Sequence, residues 1–325
     1  LEGAQVAADN GVLTQAKADE YKGEALAFRA LAHHELLIHF ARPYKDTPGA
    51  THLGVPYRKL PNNTPANIET NAAQGRHTVA ECYQWILEDL NEAESLLPAK
   101  AGRSGKQSVT RWTKQAAAAV KTRIYLHTYD WANAITEAKK FEAGGVYAGT
   151  VGLETSPNGP FLALGYSTKE NLFSIENSAT NNPTVNGALA SQYKRRMLVS
   201  ISPIAWRNSF WLPDDKRRST APASTSGVVD AAAMCFTSGT SQVRFTNKYK
   251  DEVGYSDGSP IIRFAEVLLN AAEAYARTND VDNGLKNLNK VRNRALADTV
   301  TQAYTATSFA DNVALLQAVL AERRI

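Results

Sequence analysis

The chain has 325 residues, of which 43% are apolar and 21% charged, enough for two domains or one large helical array. Its net charge is +4, from 36 basic and 32 acidic side chains scattered along the sequence, so it lacks the basic stripe that nucleic acid demands. No apolar run approaches the length of a membrane span, and two cysteines, Cys82 and Cys235, are too few for a disulfide framework and read as free structural thiols.

The opening, LEGAQVAADNG, shows no initiator methionine, no basic-then-apolar leader and no lipid-accepting cysteine, and the last residues, LLQAVLAERRI, stop inside a helical pattern. The chain therefore reads as part of a longer protein. Residues 16–40 predict one long helix, with Ala25, Phe28, Ala32, Leu36 and Phe40 as its apolar stripe and Pro43 beyond its end. Within it, AHHELLIHF invites comparison with the zinc-protease motif H-E-x-x-H. Here His39 comes one residue late. Five residues turn through about 500°, which leaves His39 about 140° off the face of His34, so the two rings cannot share an ion. The histidines are expected on the flanks of an amphipathic helix.

Residues 43–76, rich in Pro, Gly and Asn, predict a long loop. Thr78 and Glu81 then form a capping box for a helix whose stripe is Val79, Cys82, Tyr83, Ile86, Leu87, Leu90, Ala93 and Leu97, closed by Pro98. RWTKQAAAAVKTRIYLHTYD and WANAITEAKKFEAGG predict two more helices separated only by about residues 128–130, hence an antiparallel hairpin, with Gly144 and Gly145 ending the second. Ala116, Ala119, Ala134 and Ala138 permit close approach, and Tyr125, Trp131 and Phe141 fill the gaps, a pattern similar to tetratricopeptide units.

Between about 146 and 258 the character changes to irregular, loop-heavy sequence. ENLFSIEN and QVRFTNKY read as short strands. Helices resume at Pro260, placed at a first helical position, with PIIRFAEVLLNAAEAYARTN and DNGLKNLNKVRNRA as a hairpin and SFADNVALLQAVLAERRI as a further helix. The expected organisation is thus a mostly α protein in three parts. Residues 1–145 are the N-terminal part of a helical-pair scaffold, 146–258 an insertion carrying the ligand surface, and 259–325 a truncated C-terminal part of the scaffold.

Taken in order, these segments resemble the SusD/RagB family of outer-membrane lipoproteins of Bacteroidetes. KGEALAFRALAHHELLIHFARPY is similar to that family's first helix, with Gly23, Glu24, Ala25, Phe28, Arg29, Ala30, Leu31 and Phe40 in place. TVAECYQWILEDLNEAESLLP, the RWTKQAAAAV helix with its partner, PIIRFAEVLLNAAEAYAR and LNKVRNRA match its later helices. Thr122 stands where the family usually has Ala, and Asn283–Gly284 where an alanine pair is common. The resemblance implies a tetratricopeptide-like α/α scaffold and a binding protein rather than an enzyme. It also implies a lipid anchor on an upstream segment, an outer-membrane, cell-surface location, and a SusC-like TonB-dependent transporter as partner. The ligand would be an oligosaccharide or a peptide. Asp215 and Arg217 look like a D-x-R structural pair.

A pyranose offers an apolar face that stacks on aromatic rings, and its hydroxyls need polar partners. The insertion supplies both. Trp206, Arg207, Asn208, Phe210 and Trp211 lie in one short stretch with Tyr193 upstream, and they are the expected ligand-binding residues; Tyr44 and Tyr57 in the first long loop are second choices. No cofactor is implied. A structural calcium is left open, because no acidic loop of recognisable spacing is present. Two other readings stand beside this one. The first is a cytosolic tetratricopeptide-type scaffold, against which the long insertion argues. The second is a glycoside hydrolase using Glu266 and Glu273, seven residues and about 10.5 Å apart on one helix face. Arg263 and Arg277, three before and four after, make an ion-paired helix surface the better account of that pair.

Overall fold

The computed structural model describes residues 2–166, 168–221, 233–238 and 243–325. It divides into two compact units, residues 1–100 with 112–137, and residues 101–111 with 138–325.

The first unit is built on helices α1 (Glu2–Asp9), α2 (Gln15–Phe40), α3 (Pro65–Ala73), α4 (Val79–Leu96) and α5 (Lys114–His127), with the start of α6 (Trp131–Lys139). Thr14, Thr64, Thr78 and Thr113 each accept a bond from the backbone N–H three residues on, satisfying a donor that the first turn leaves orphaned. The capping box of Thr78 and Glu81 is complete. Seven of the residues expected in the α4 stripe are buried, Leu87 being half-buried.

On α2 the expected stripe is wrong. Phe28, Leu36 and Phe40 are exposed, and the buried face is Gly23, Leu26, Ala27, Ala30, His33, His34 and Leu37. Helices that approach closely want small side chains at the contact. At Gly23 a Cβ would already stand 3.0 Å from the Leu97 side chain. His33 and His34 therefore lie in the core rather than on a flank, and only His39 is exposed. The 43–76 loop is an ordered excursion. It contains α3 and is pinned by Arg76, whose guanidinium donates to the carbonyls of Gly54 (2.6 Å), Phe40 (3.1 Å) and Leu53 (3.1 Å). Three residues connect α5 to α6, and Lys121 ties α5 to both neighbours through Glu94 on α4 (2.5 Å) and Glu137 on α6 (3.0 Å). α6 ends at Lys139, before the glycines expected to stop it. Gly144, at φ +85°, lies in the turn that follows.

In the second unit, β1 (Asn171–Ile175) pairs antiparallel with β5 (Ser259–Arg263). A second sheet has the order β2 (Thr220–Ala221), β3 (Cys235–Thr237), β4 (Arg244–Thr246). ENLFSIEN is a strand, as expected, and so is the centre of QVRFTNKY; Gln242 lies outside the described residues. Pro260 opens no helix: it sits in β5 opposite Ser174, in a two-stranded sheet that tolerates its missing N–H. Helix α7 begins at Phe264 and runs to Arg277, followed by α8 (Val281–Arg292) and α9 (Asn312–Arg324). Leu268, Ala272 and Ala276 of α7, Leu288 and Val291 of α8, and Leu315 and Val319 of α9 form one core.

The loop-rich backbone of this unit is held by side chains. Asn171 donates to the carbonyls of Pro160 (3.0 Å) and Gly165 (2.9 Å). The buried Glu170 carboxylate receives Arg263 (3.0 Å), Arg294 and the backbone N–H of Glu154 (3.1 Å). Arg263 pairs with Glu170, outside α7, and Arg277 pairs with Glu273 (2.9 Å) on the helix surface as expected. The protein is mostly α-helical, with only short strands among the described residues.

Candidate functional site

A short turn, Pro203–Trp206, opened by Pro203 at its first position, presents Trp206 half-buried. The next turn is set by Asn208, whose side-chain oxygen accepts the N–H of Phe210 (2.9 Å) and whose carbonyl accepts that of Trp211 (3.0 Å). The two indoles meet edge to face, centroids 5.2 Å apart at 68°. Two guanidinium groups stand against Trp206, Arg218 at 4.2 Å and Arg244 at 4.6 Å from the ring centre. Arg218 also donates to the carbonyl of Trp211 (2.7 Å). Burial, and then repulsion from Arg244, lower the pKa of Arg218.

Trp211 forms one wall of a cavity of about 310 Å³, large enough for a small ligand. Tyr193 and Tyr249 line another part, their rings 5.8 Å apart and 35° from parallel. Lys248, Arg217, Cys235 and Thr246 supply polar atoms, and Val199, Ile201 and Met234 supply apolar surface. Arg217 is fully committed. It bonds Asp215 (2.6 Å) and Glu322 of α9 (2.5 Å), and these bonds outweigh the burial that opposes its charge and hold its pKa above the ordinary arginine value. Burial pushes the Cys235 thiol up to about 11, and the Tyr249 hydroxyl up to about 12, so neither ionises near neutrality. Lys248 moves the other way: burial, then Arg263 and Arg217, push it down to about 8.

Of the residues expected from sequence, Trp211 and Tyr193 line the cavity and Trp206 abuts it through Trp211. Arg207 is exposed and Asn208 is spent on its own turn. Phe210 packs on the α7–α9 core, and Arg292 donates to its carbonyl (3.0 Å), so it anchors the stretch and does not line the cavity. In the first unit, Tyr44 is half-buried against Tyr83 (5.6 Å). Tyr57 lies almost wholly in the core, at the edge of a hollow it shares with Trp85. It is 1% exposed, stacks on His33 (4.0 Å) and donates its hydroxyl to Asp89 (2.6 Å). Lys248 and Tyr249 were missed, because QVRFTNKY, which contains them, registered only as a strand, and they lie just past the end of β4. Trp85, which borders a separate hollow of about 500 Å³ with Lys59 over its ring at 4.5 Å, was also missed. Its signal is a large aromatic off the apolar stripe of α4. Among the described residues no group of three His, Cys, Asp or Glu is placed to hold a metal ion.

Residues 5–126 match a SusD-like family described as starch-binding and associating with the outer membrane, and residues 226–325 match the SusD family. The chain belongs to the SusD/RagB family. A SusD superfamily protein from Bacteroides fragilis superposes with a TM-score of 0.79 at 25% identity, covering 99% of this chain and 67% of that one. Another from Bacteroides thetaiotaomicron gives 0.74 at 25% identity, with 99% and 68% covered. A Bacteroides vulgatus protein assigned by name to sugar binding gives 0.69 at 26% identity, with 95% and 63% covered. The chain thus spans about two thirds of the length of these structures. No curated protein matches it. In this SusD-family chain, Tyr193, Trp206 and Trp211 fall between the two matched segments, and Lys248 and Tyr249 fall within the second. No helix among the described residues is long and apolar enough to cross a membrane.

Proposed function

We propose that this chain captures glycans at the outer surface of the cell and passes them to a SusC-like TonB-dependent transporter in the outer membrane, held there by a lipid on a segment upstream. The observation that carries the reading is the cavity lined by Trp211, Tyr193 and Tyr249, with Trp206 against Trp211 and with Lys248, Thr246 and Cys235 also in the lining. Aromatic faces take the C–H side of a sugar ring, and the polar atoms take its hydroxyls. The family description of starch binding and the relative assigned to sugar binding support the same reading. Binding is reversible and breaks no bond. Glu273 is tied to Arg277 (2.9 Å), which favours the ion-paired helix surface as the account of that carboxylate.

The test is titration of a panel of neutral and acidic oligosaccharides into the wild type and into Trp206→Ala and Trp211→Ala. Each variant is expected to weaken binding about tenfold or more, the equivalent of about 1.4 kcal/mol for a lost stacking face, with its melting temperature as the control for folding. Gentle purification from source membranes is expected to bring a large β-barrel along. Recovery in a soluble fraction without a barrel, or a panel that binds nowhere, overturns the proposal.

A further inference from the structure

Among the described residues, the side-chain carboxylates Asp215 and Glu322 near the cavity are both bonded to Arg217, and Glu322 also lies 3.7 Å from Arg292, while Arg324 is a further cation in the lining. Lys248 has no hydrogen bond or ion pair from its ammonium among the described residues; its one contact of note is the Phe161 ring, 5.4 Å away. The charges it senses are Arg263, Arg217 and the Cys235 thiol, with no carboxylate among them. The Cys235 thiol, on the same wall, senses Lys248, Arg218 and Arg244 against a single carboxylate, Asp215. A cation withdrawn from water without a counter-ion is costly, and burial alone has not discharged it: with its pKa near 8, about nine in ten Lys248 side chains still carry the proton at pH 7. An anion entering the cavity would supply the counter-ion that Lys248 lacks among the described residues.

We propose that the ligands of this cavity are acidic glycans, whose carboxylate or sulfate takes Lys248 as its counter-ion while the sugar ring lies against Trp211 and the tyrosines. The proposal rests on the glycan-capture reading and narrows it to a substrate class. A neutral glycan gains stacking and hydroxyl contacts but leaves Lys248 uncompensated. An acidic one gains both.

The experiment uses matched pairs: an oligogalacturonide and its methyl ester, and a sulfated galactosaminoglycan oligosaccharide and its desulfated, carboxyl-reduced counterpart, each titrated into the protein. At least one acidic member is expected to bind tenfold or more tightly than its neutral partner, and the pair that shows the preference tells a uronate from a sulfate. Lys248→Met is expected to erase most of the preference, and Lys248→Arg to keep it. As a second measurement on the wild type, the affinity for the acidic member falls severalfold from pH 7 to pH 9 as Lys248 loses its proton, while the neutral member's does not. Burial pushes Cys235 and Tyr249 above that range, and Tyr193, Arg217 and Arg324 also line the cavity, so the pH dependence is assigned to Lys248 only if Lys248→Met abolishes it. Equal affinities within each pair overturn the acidic preference and leave glycan capture standing. If no oligosaccharide binds, or only a peptide carboxylate does, glycan capture falls with it.

Discussion

His34 shows how burial turns a titratable group into a lever on stability. It is fully buried, with neither ring nitrogen bonded among the described residues, edge-on to Tyr83 (5.9 Å) and His127 (4.8 Å). Burial, then His127 and Arg123, push it down to about 3. The unfolded chain takes a proton at this residue near pH 6.5 and the folded chain does not until near 3. The stability His34 contributes is therefore complete above pH 6.5 and is lost as pH falls towards 3, by up to about 1.4 kcal/mol per unit. His33, also lowered by burial, acts in the same direction. Denaturant melts from pH 7 to pH 4.5 are expected to show a shallower loss for His34→Leu than for wild type; parallel curves would refute this. A few residues away, Asp89 holds Arg29 through two bonds of 2.6 Å and accepts the Tyr57 hydroxyl. Tyr57→Phe removes one bond and is expected to cost about 1 kcal/mol. Asp89→Asn strips a mostly buried guanidinium of its counter-ion and is expected to cost about 3 kcal/mol, read by chemical denaturation.

Where one element ends and the next begins, single glycines decide. A Cβ on Gly145 would stand 2.3 Å from the carbonyl oxygen of Lys139 and 2.5 Å from that of Lys140, backbone atoms that cannot swing aside. Gly145→Ala is expected to cost about 2 kcal/mol and to lower the melting temperature. Gly144→Asn, at a left-handed position with open space around it, is expected to cost less; equal losses would show that the turn itself can shift. Both glycines were visible in the sequence as breakers, yet α6 stops earlier, because breakers mark where a helix cannot continue rather than where it ends. The α4 stripe was legible since its large apolar residues, Trp85 excepted, mostly face one way. The α2 stripe was not. There the close contact is made by Gly23, Ala27 and Ala30, and periodicity that follows bulk finds the exposed phenylalanines instead. Pro260 was misplaced for a related reason: its fixed φ suits a first helical turn and an edge strand equally.

Across the whole molecule, the helical frame could be read from periodicity, and the irregular stretch could not. Its order comes from bonds such as those of Asn171 to two carbonyls and of two arginines to Glu170, which have no repeat in sequence. The candidate site was legible to the same degree. Trp206, Trp211 and Tyr193 stood out by type, whereas Lys248 and Tyr249 join them only through the fold. The Asp89 network of the first unit and the lining of the cavity have no residue in common. Tyr57→Phe, which weakens the first unit, is therefore expected to leave oligosaccharide affinity within about twofold of wild type, measured below the melting range. A large change would mean that the network around Asp89 reaches the cavity.

The pair of guanidinium groups against Trp206 has one more consequence. Indole emission responds to the electric field across the ring, and here that field is set by Arg218 and Arg244 at 4.2 and 4.6 Å. An anion that draws either arginine aside changes the field, and with it the colour and yield of the fluorescence. Two of the five tryptophans stand at this place, so under the proposed binding their emission is expected to report occupancy without an attached dye.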